Sequence, residues 1–452
     1  MGTISQLAMI NLLQNWLFST AIFSASCNAS RFSCNYPVCT LSIPDNGKKP
    51  QSRVLSIYDN TQIPSIGTDL LGFGLGYLPG LGMNRAAVAI VGSALAVALG
   101  ILNLKTAWEA IDPNTIVFLL GMMVVNSALG ASGFFQLALE FLTRFTRSPF
   151  GIMVAVTFGS GILSAFFLND TTAILLAPLT LSLTRSLSLN PIPYLLALAG
   201  GTNLGSVATV SGNPQNILVG SFSGISYLEF ARSLAPVALI CLLVQVAWLW
   251  LLYPEVRSCK SLPEVPQVRY RLLKPLLAKS LWVTAGLLVA FLAGVPLAES
   301  AWIAASILLI TRRVKSDRIL QGVDWNLLVM FAGLFVVTKA TQQLGLLDNL
   351  TNLTGTPLSL LGVTVILSNL ISNVPAVLVL QSVIVKTDTQ AWLLLAAGST
   401  LAGNLTLLGS VANLIVAEVA GKSGDRLTFK EHLRFGLPLT FITLGIAYFW
   451  LY

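Results

Sequence analysis

Two similar stretches decide the fold of this chain: AGGTNLGSVATVSGNPQNILV at residues 199–219 and AGSTLAGNLTLLGSVANLIV at residues 397–416. Both are apolar, but both contain glycines and hydrogen-bonding side chains that interrupt a helix. GNPQN at 212–216 aligns with GSVAN at 409–413, and the spacing of the two stretches differs by one residue. Irregular backbone is tolerated at membrane depth only where it lines a cavity or packs against protein. The stretches are therefore predicted to be a pair of broken transmembrane helices beside a binding site.

The composition places the chain in a membrane. Of 452 residues, 55% are hydrophobic and only 10% are charged, whereas soluble domains carry about 25% charged residues. The net charge of +8 comes from Lys and Arg between apolar segments, which is a topology signal and does not indicate nucleic-acid binding. We expect an integral, multi-pass protein of the lipid bilayer, in the plasma (inner) membrane of a bacterium.

The same inventory argues against an enzyme. The sequence has one histidine, His432, which excludes a multi-histidine zinc site and makes an intramembrane protease a poor alternative. His432 follows Lys430 and Glu431 ahead of the last helix, and we expect it to be solvated. The sequence has no G-x-x-x-x-G-K-[ST] motif for ATP, and we expect no cofactor. A channel is a further alternative, but the duplicated motifs favour a carrier.

Apolar segments follow one another from residue 66 onward. The predicted helices are 68–82, 86–104, 113–133, 150–168, 170–187, 193–220, 232–253, 276–294, 298–311, 325–345, 357–372, 374–386, 391–416 and 433–451. Residues 1–65 are predicted to be a poorly ordered extension. Residues 66–253 and 276–452 are predicted to be two transmembrane repeats, and the basic segment 254–275 is predicted to be a cytoplasmic linker between them.

A second pair of motifs supports the repeat. LNDTTAIL at 168–175 precedes the first broken helix, and ISNVPAVL at 371–378 precedes the second. Arg144 and Arg147 precede residues 148–187, and Arg185 lies near the end of this segment. If both ends are cytoplasmic, this segment is a re-entrant hairpin with Asn169 and Asp170 at its tip. The alternative is two full spans with these residues at the far surface, and the lengths of the arms do not decide between the two.

These four motifs, in this order, resemble the signature segments of the ion transporter superfamily. More narrowly, they resemble its citrate-transporter-like and arsenite-permease-like anion transporters, over about residues 70–450. The resemblance implies an all-α fold of two inverted repeats, each with a re-entrant helical hairpin and a broken helix that meet at mid-membrane. The sodium-coupled dicarboxylate branch has Ser-Asn-Thr at each hairpin tip, and that triplet is intact in neither half here.

The function expected from the resemblance is secondary active transport of a small anion by alternating access. The substrate would be an inorganic oxyanion, an arsenite-like species or a carboxylate, and the coupling ion H⁺ or Na⁺. The alternative is a Na⁺/H⁺ antiporter, with Asp170 as the exchanging carboxylate. A homodimer is also expected.

The candidate site residues are those of the hairpin tips and the broken helices. Freed carbonyls and Asn, Thr and Ser side chains can coordinate a cation, while helix N-termini suit an anion. Asn169, Asp170 and Asn373 are the candidate Na⁺ ligands. The full candidate set is Asn169, Asp170, Thr171, Thr202, Asn203, Gly212, Asn213, Asn216, Ser372, Asn373, Thr400, Asn404, Gly409, Ser410 and Asn413.

Overall fold

The computed structural model describes residues 83–144, 146, 148–258, 262, 272–310, 314–345 and 353–452. These residues are predominantly helical and include no β-strand. The helices of the first half are α1 (Arg85–Ala98), α2 (Leu104–Glu109), α3 (Pro113–Ser132), α4 (Phe134–Thr143), α5 (Pro149–Phe166), α6 (Asn169–Ser186), α7 (Pro191–Ser206), α8 (Pro214–Ser223) and α9 (Tyr227–Leu252). Those of the second half are α10 (Lys274–Leu292), α11 (Leu297–Leu309), α12 (Ser316–Leu320), α13 (Trp325–Gln343), α14 (Pro357–Ile371), α15 (Asn373–Leu380), α16 (Thr389–Ala402), α17 (Val411–Lys422) and α18 (Phe429–Leu451).

The predicted all-helical membrane architecture is confirmed. Among the described residues, α3, α5, α9, α10 and α18 are long and apolar enough to cross a bilayer. The predicted helix at 68–82 and the extension at 1–65 lie outside the described residues, as does most of the linker at 254–275. The division into repeats and a cytoplasmic linker therefore stays a prediction.

The two hairpins differ in length. The arms of the first, α5 and α6, have 18 residues each, which is about 27 Å at 1.5 Å per residue. In the second, α14 has 15 residues, but the returning α15 has only eight and continues as a short 3₁₀ turn at Gln381–Val383. The return arm is thus shorter than the predicted 374–386. With the 3₁₀ turn included, the return arm is about 18 Å long and cannot cross a hydrocarbon layer of about 30 Å, which favours a re-entrant second hairpin.

Equivalent helices of the two halves pack on each other reciprocally. In α3, a Cβ atom added to Gly121 would lie 2.7 Å from the Ala301 carbonyl of α11. In α13, a Cβ atom added to Gly333 would lie 2.6 Å from the Ala89 carbonyl carbon of α1. Each glycine comes nine residues after the aspartate that caps its own helix. Glycine is required at both positions because the helix backbones touch.

The interrupted helices occupy the centre of the protein. Every residue is buried from Pro193 to Ser206 in α7 and from Ala391 to Ala402 in α16. Helix α7 packs between the first hairpin and α9, and α16 packs against α14 and α18. Their polar residues therefore face protein, and lipid does not reach them.

Candidate functional site

The first break, residues 207–213, separates α7 from α8. Asn213 has extended backbone angles, and its side chain accepts a hydrogen bond of 2.8 Å from the Asn216 N–H, so that it caps α8. Pro214 follows at the first helical position, where its missing N–H costs nothing. A Cβ atom on Gly212 would overlap the Ser206 backbone. Local sequence chemistry therefore fixes both the place of this break and its tightness.

The second break, residues 403–410, separates α16 from α17. Ser410 caps α17 by accepting a hydrogen bond of 3.2 Å from the Ala412 N–H. A Cβ atom on Gly409 would lie 2.9 Å from the Gly403 carbonyl oxygen. The second break thus repeats the first with a serine cap and no proline.

One asparagine in each half holds its break together. Asn216 Nδ2 donates to the carbonyl oxygens of Ser206 and Thr209, both at 2.9 Å. Asn413 Nδ2 donates to Gly403 at 2.8 Å and to Thr406 at 3.3 Å. The spacings along the chain are ten and seven residues in both halves. These amides satisfy carbonyls that the end of the helix leaves without intrahelical partners.

Asn203 of α7 connects the first half to the second. Its Nδ2 donates to Asn404 Oδ1 at 2.8 Å and to Asn413 Oδ1 at 3.1 Å. Its Oδ1 accepts from Ser410 Oγ at 2.9 Å and from Asn169 Nδ2 at 3.2 Å. One buried amide therefore joins the first hairpin tip, the first broken helix and the second break.

Thr400 of α16 plays the reciprocal role. Its Oγ1 accepts from Asn213 Nδ2 at 3.2 Å and from Gln215 Nε2 at 3.3 Å, and it donates to Asn216 Oδ1 at 3.3 Å. Thr400 precedes Asn413 by 13 residues, as Asn203 precedes Asn216. Each broken helix is thus hydrogen-bonded to the break of the other half through residues at equivalent positions.

The hairpin tips bring unpaired oxygens to this network. Asn169 Oδ1 and Asn373 Oδ1 are buried without a hydrogen-bond partner. The Asn373 side chain lies beside the second break, with its Nδ2 3.3 Å from where a Cβ atom of Gly403 would be. Ser372, which begins the tip, has φ of 78°, a conformation that is uncommon for a residue with a side chain. Buried oxygens that lack donors are suited to a cation.

Asp170 is the carboxylate at the first tip. It is half-buried in the first turn of α6, and the Ala412 N–H of α17 faces its carboxylate. Its charge also interacts with Asp324, which caps α13, and with Arg85, the first residue of α1. Val374 occupies the matching position in the second tip, so the site carries this acid on one side only.

The structure thus brings most of the predicted residues together. Asn169, Asn203, Asn404, Ser410 and Asn413 form one group. Asn213, Asn216 and Thr400 form a second. Thr202 Oγ1 instead donates within its own helix, to Ala199 O at 2.9 Å. Thr171 is half-buried beside Asp170, and its side chain makes no hydrogen bond to another residue that the structure describes. Binding by any of these residues stays a prediction.

Sequence reasoning missed several contributors and was wrong about one. Ser206, Gln215 and the break threonines Thr209 and Thr406 belong to the network through their hydrogen bonds. Their link to the site depends on contacts made around the breaks, and their residue types alone gave no signal. His432, expected to be solvated, is fully buried, with its Nε2 3.1 Å from Asn404 O. Its charged neighbours in sequence misled the prediction, because the first turn of α18 buries one face.

Comparison with known proteins agrees with this architecture. The sequence profile of the citrate transporter family matches residues 77–397. A 46 kDa membrane protein of Mycobacterium leprae is 31% identical over an alignment of 407 positions that covers 82% of this chain and 94% of that protein. A silicon efflux transporter of Oryza sativa is 29% identical over an alignment of 450 positions that covers 82% of this chain and 93% of that one.

A solved structure shares the fold. The MtrF protein of Neisseria gonorrhoeae superimposes with a TM-score of 0.54 at 11% identity, over 98% of this chain and 94% of that one. The family match confirms the resemblance drawn from the four motifs, together with the assignment as an integral membrane transporter. The chain therefore belongs to the citrate transporter family and is a membrane transporter of anions or small solutes, not an enzyme.

Proposed function

We propose that the chain is a secondary active transporter that moves a small anion or weak acid by alternating access, with H⁺ or Na⁺ as the coupling ion. The substrate would be an inorganic oxyanion, an arsenite-like species or a carboxylate. The substrate would bind where the hairpin tips meet the two breaks. The inverted orientation of the repeats and a homodimer are parts of the same proposal.

The observation that carries this proposal is the reciprocal hydrogen bonding of the two broken helices. Asn203 reaches the second break and Thr400 reaches the first. The groups at this junction are neutral amides and hydroxyls that can donate to or accept from a solute. Helices α8 and α17 also begin there, and the positive ends of their dipoles favour negative charge. Such a junction suits a small, oxygen-rich solute.

The coupling ion would bind at the first hairpin tip. Asp170 provides the carboxylate, and the buried Oδ1 of Asn169 next to it has no partner. Together they can hold a Na⁺ ion, or Asp170 alone can carry a proton. An ionisable residue at membrane depth is by default a functional hypothesis. The same feature favours the second candidate, a Na⁺/H⁺ antiporter, which needs the acid and no anion.

The names of the relatives help to choose substrates for a test. The Oryza sativa relative is called a silicon efflux transporter, and the matching family is that of citrate transporters. A panel of citrate, arsenite, silicic acid and inorganic phosphate therefore covers carboxylates, weak acids and oxyanions.

The test is flux in proteoliposomes with imposed Na⁺ and pH gradients, for the wild type, Asp170→Asn and Asp388→Asn. Asp388 caps α16 by accepting from Ala391 N at 3.0 Å, and asparagine caps helices equally well, so this control should transport normally. We expect one gradient to drive uptake or efflux of a panel member, and Asp170→Asn to lose that dependence. Na⁺-driven proton movement without anion dependence would instead establish the antiporter.

A further inference from the structure

The single histidine of the chain lies where the last helix meets the second break. His432 is fully buried, and its Nε2 is 3.1 Å from the Asn404 carbonyl oxygen. Because a carbonyl oxygen only accepts, Nε2 carries the hydrogen and donates it. Nδ1 has no hydrogen-bond partner. The imidazole therefore donates one hydrogen bond, to the irregular backbone of the second break. Its Nε2 also lies 3.5 Å from Nδ2 of Asn413, the asparagine that holds this break together.

A glycine one turn later reinforces this contact. A Cβ atom on Gly436 would overlap the Asn404 carbonyl oxygen and would lie 3.2 Å from His432 Nε2. No larger residue fits between α18 and the break without moving one of them. The Asn404 carbonyl oxygen thus accepts a hydrogen bond from His432 and packs against the backbone of α18 at Gly436.

The side chain of the same asparagine faces the network. Asn404 Oδ1 accepts from Asn203 Nδ2 at 2.8 Å, which fixes the orientation of the amide. Asn404 Nδ2 is buried and has no partner. A buried donor without an acceptor destabilises the folded state, so a bound oxygen atom at this place would stabilise the protein.

The first half lacks both residues. Phe230 lies four residues after the Ser226 cap of α9, as His432 lies four residues after the Thr428 cap of α18. Val207 precedes Asn216 by nine residues, as Asn404 precedes Asn413. The two breaks share the asparagine that holds them and its spacings, so this pair adds an asymmetry to the junction and would favour one orientation of a bound solute.

We propose that Asn404 Nδ2 donates a hydrogen bond to an oxygen of the transported solute, and that His432 is the positioning residue that holds Asn404 in place. The donor role of Asn404 rests on the proposed transport function, whereas the positioning role of His432 does not. The positioning role depends on the contact between His432 and the break, and it is testable without any substrate.

The substrate-free test is hydrogen–deuterium exchange of the full chain in detergent. His432→Phe installs the residue found at the equivalent position of α9 and removes the donor. His432→Gln keeps an N–H donor at similar reach. We expect residues 403–410 to exchange several-fold faster in His432→Phe and at the wild-type rate in His432→Gln, with residues 207–213 unchanged in both. Equal exchange of residues 403–410 in His432→Phe and the wild type would overturn the positioning role.

The substrate test is proteoliposome flux of citrate and of silicic acid. We expect KM to rise on the order of tenfold in His432→Phe and in Asn404→Leu, because each variant loses one hydrogen bond to the solute or loses its correct placement. In His432→Gln we expect KM to stay near wild type. An unchanged KM in Asn404→Leu, with a wild type that transports, would overturn the donor role and leave the transport function standing. A wild type that moves neither probe nor any other panel member would overturn the donor role together with the proposed function. The exchange experiment would still decide the positioning role.

Discussion

Replacing Asn203 with leucine should destabilise the protein more than the same change at another buried asparagine. Asn203 makes four side-chain hydrogen bonds, to Asn404, Asn413, Ser410 and Asn169. Side-chain hydrogen bonds in membrane proteins contribute about 0.6 kcal/mol each on average. Their joint loss should therefore lower the free energy of unfolding by about 2–3 kcal/mol, with the cost of four groups left unpaired as a further contribution.

Asn126 of α3 offers a matched control. It is also fully buried, but neither its Oδ1 nor its Nδ2 has a hydrogen-bond partner. Leucine at this position removes two unsatisfied polar atoms, so that the free energy of unfolding should stay the same or rise. The measurement is reversible unfolding in mixed micelles for both variants and the wild type. Equal destabilisation by the two substitutions would refute the role of Asn203 as the link between the halves.

Two further pairs of variants test the site and the helix packing around it. Thr400→Val removes three hydrogen bonds to the first break and should reduce transport in proteoliposomes at least tenfold. Thr443→Val removes only bonds to carbonyls of its own helix, away from the candidate site, and should leave transport near wild type. Gly205→Ala would place a Cβ atom in the backbone of Gly161 and should lower the free energy of unfolding by about 1–3 kcal/mol. Gly445→Ala meets nothing within 4 Å and should be neutral. A neutral Gly205→Ala would mean that α5 and α7 are not in backbone contact.

Local sequence signals determined a large part of this protein. The scarcity of charged residues fixed the membrane class, because a water-soluble surface could not be built from this composition. Pro214 and the two capping residues Asn213 and Ser410 fixed where the central helices break. These effects act within a few residues, since a cap bonds to an N–H two or three positions away. They could therefore be predicted from the order of the residues.

Only the tertiary structure decided which polar side chains meet. Asn203 and Asn404 are hydrogen-bonded across 201 residues of sequence. Of two threonines in similar motifs, Thr400 reaches the other half, whereas Thr202 bonds within its own helix. His432 is buried against the second break although its neighbours in sequence are charged. Each outcome depends on how a helix is rotated about its axis and on what packs against it. Packing between distant helices sets both, and no short stretch of sequence encodes them.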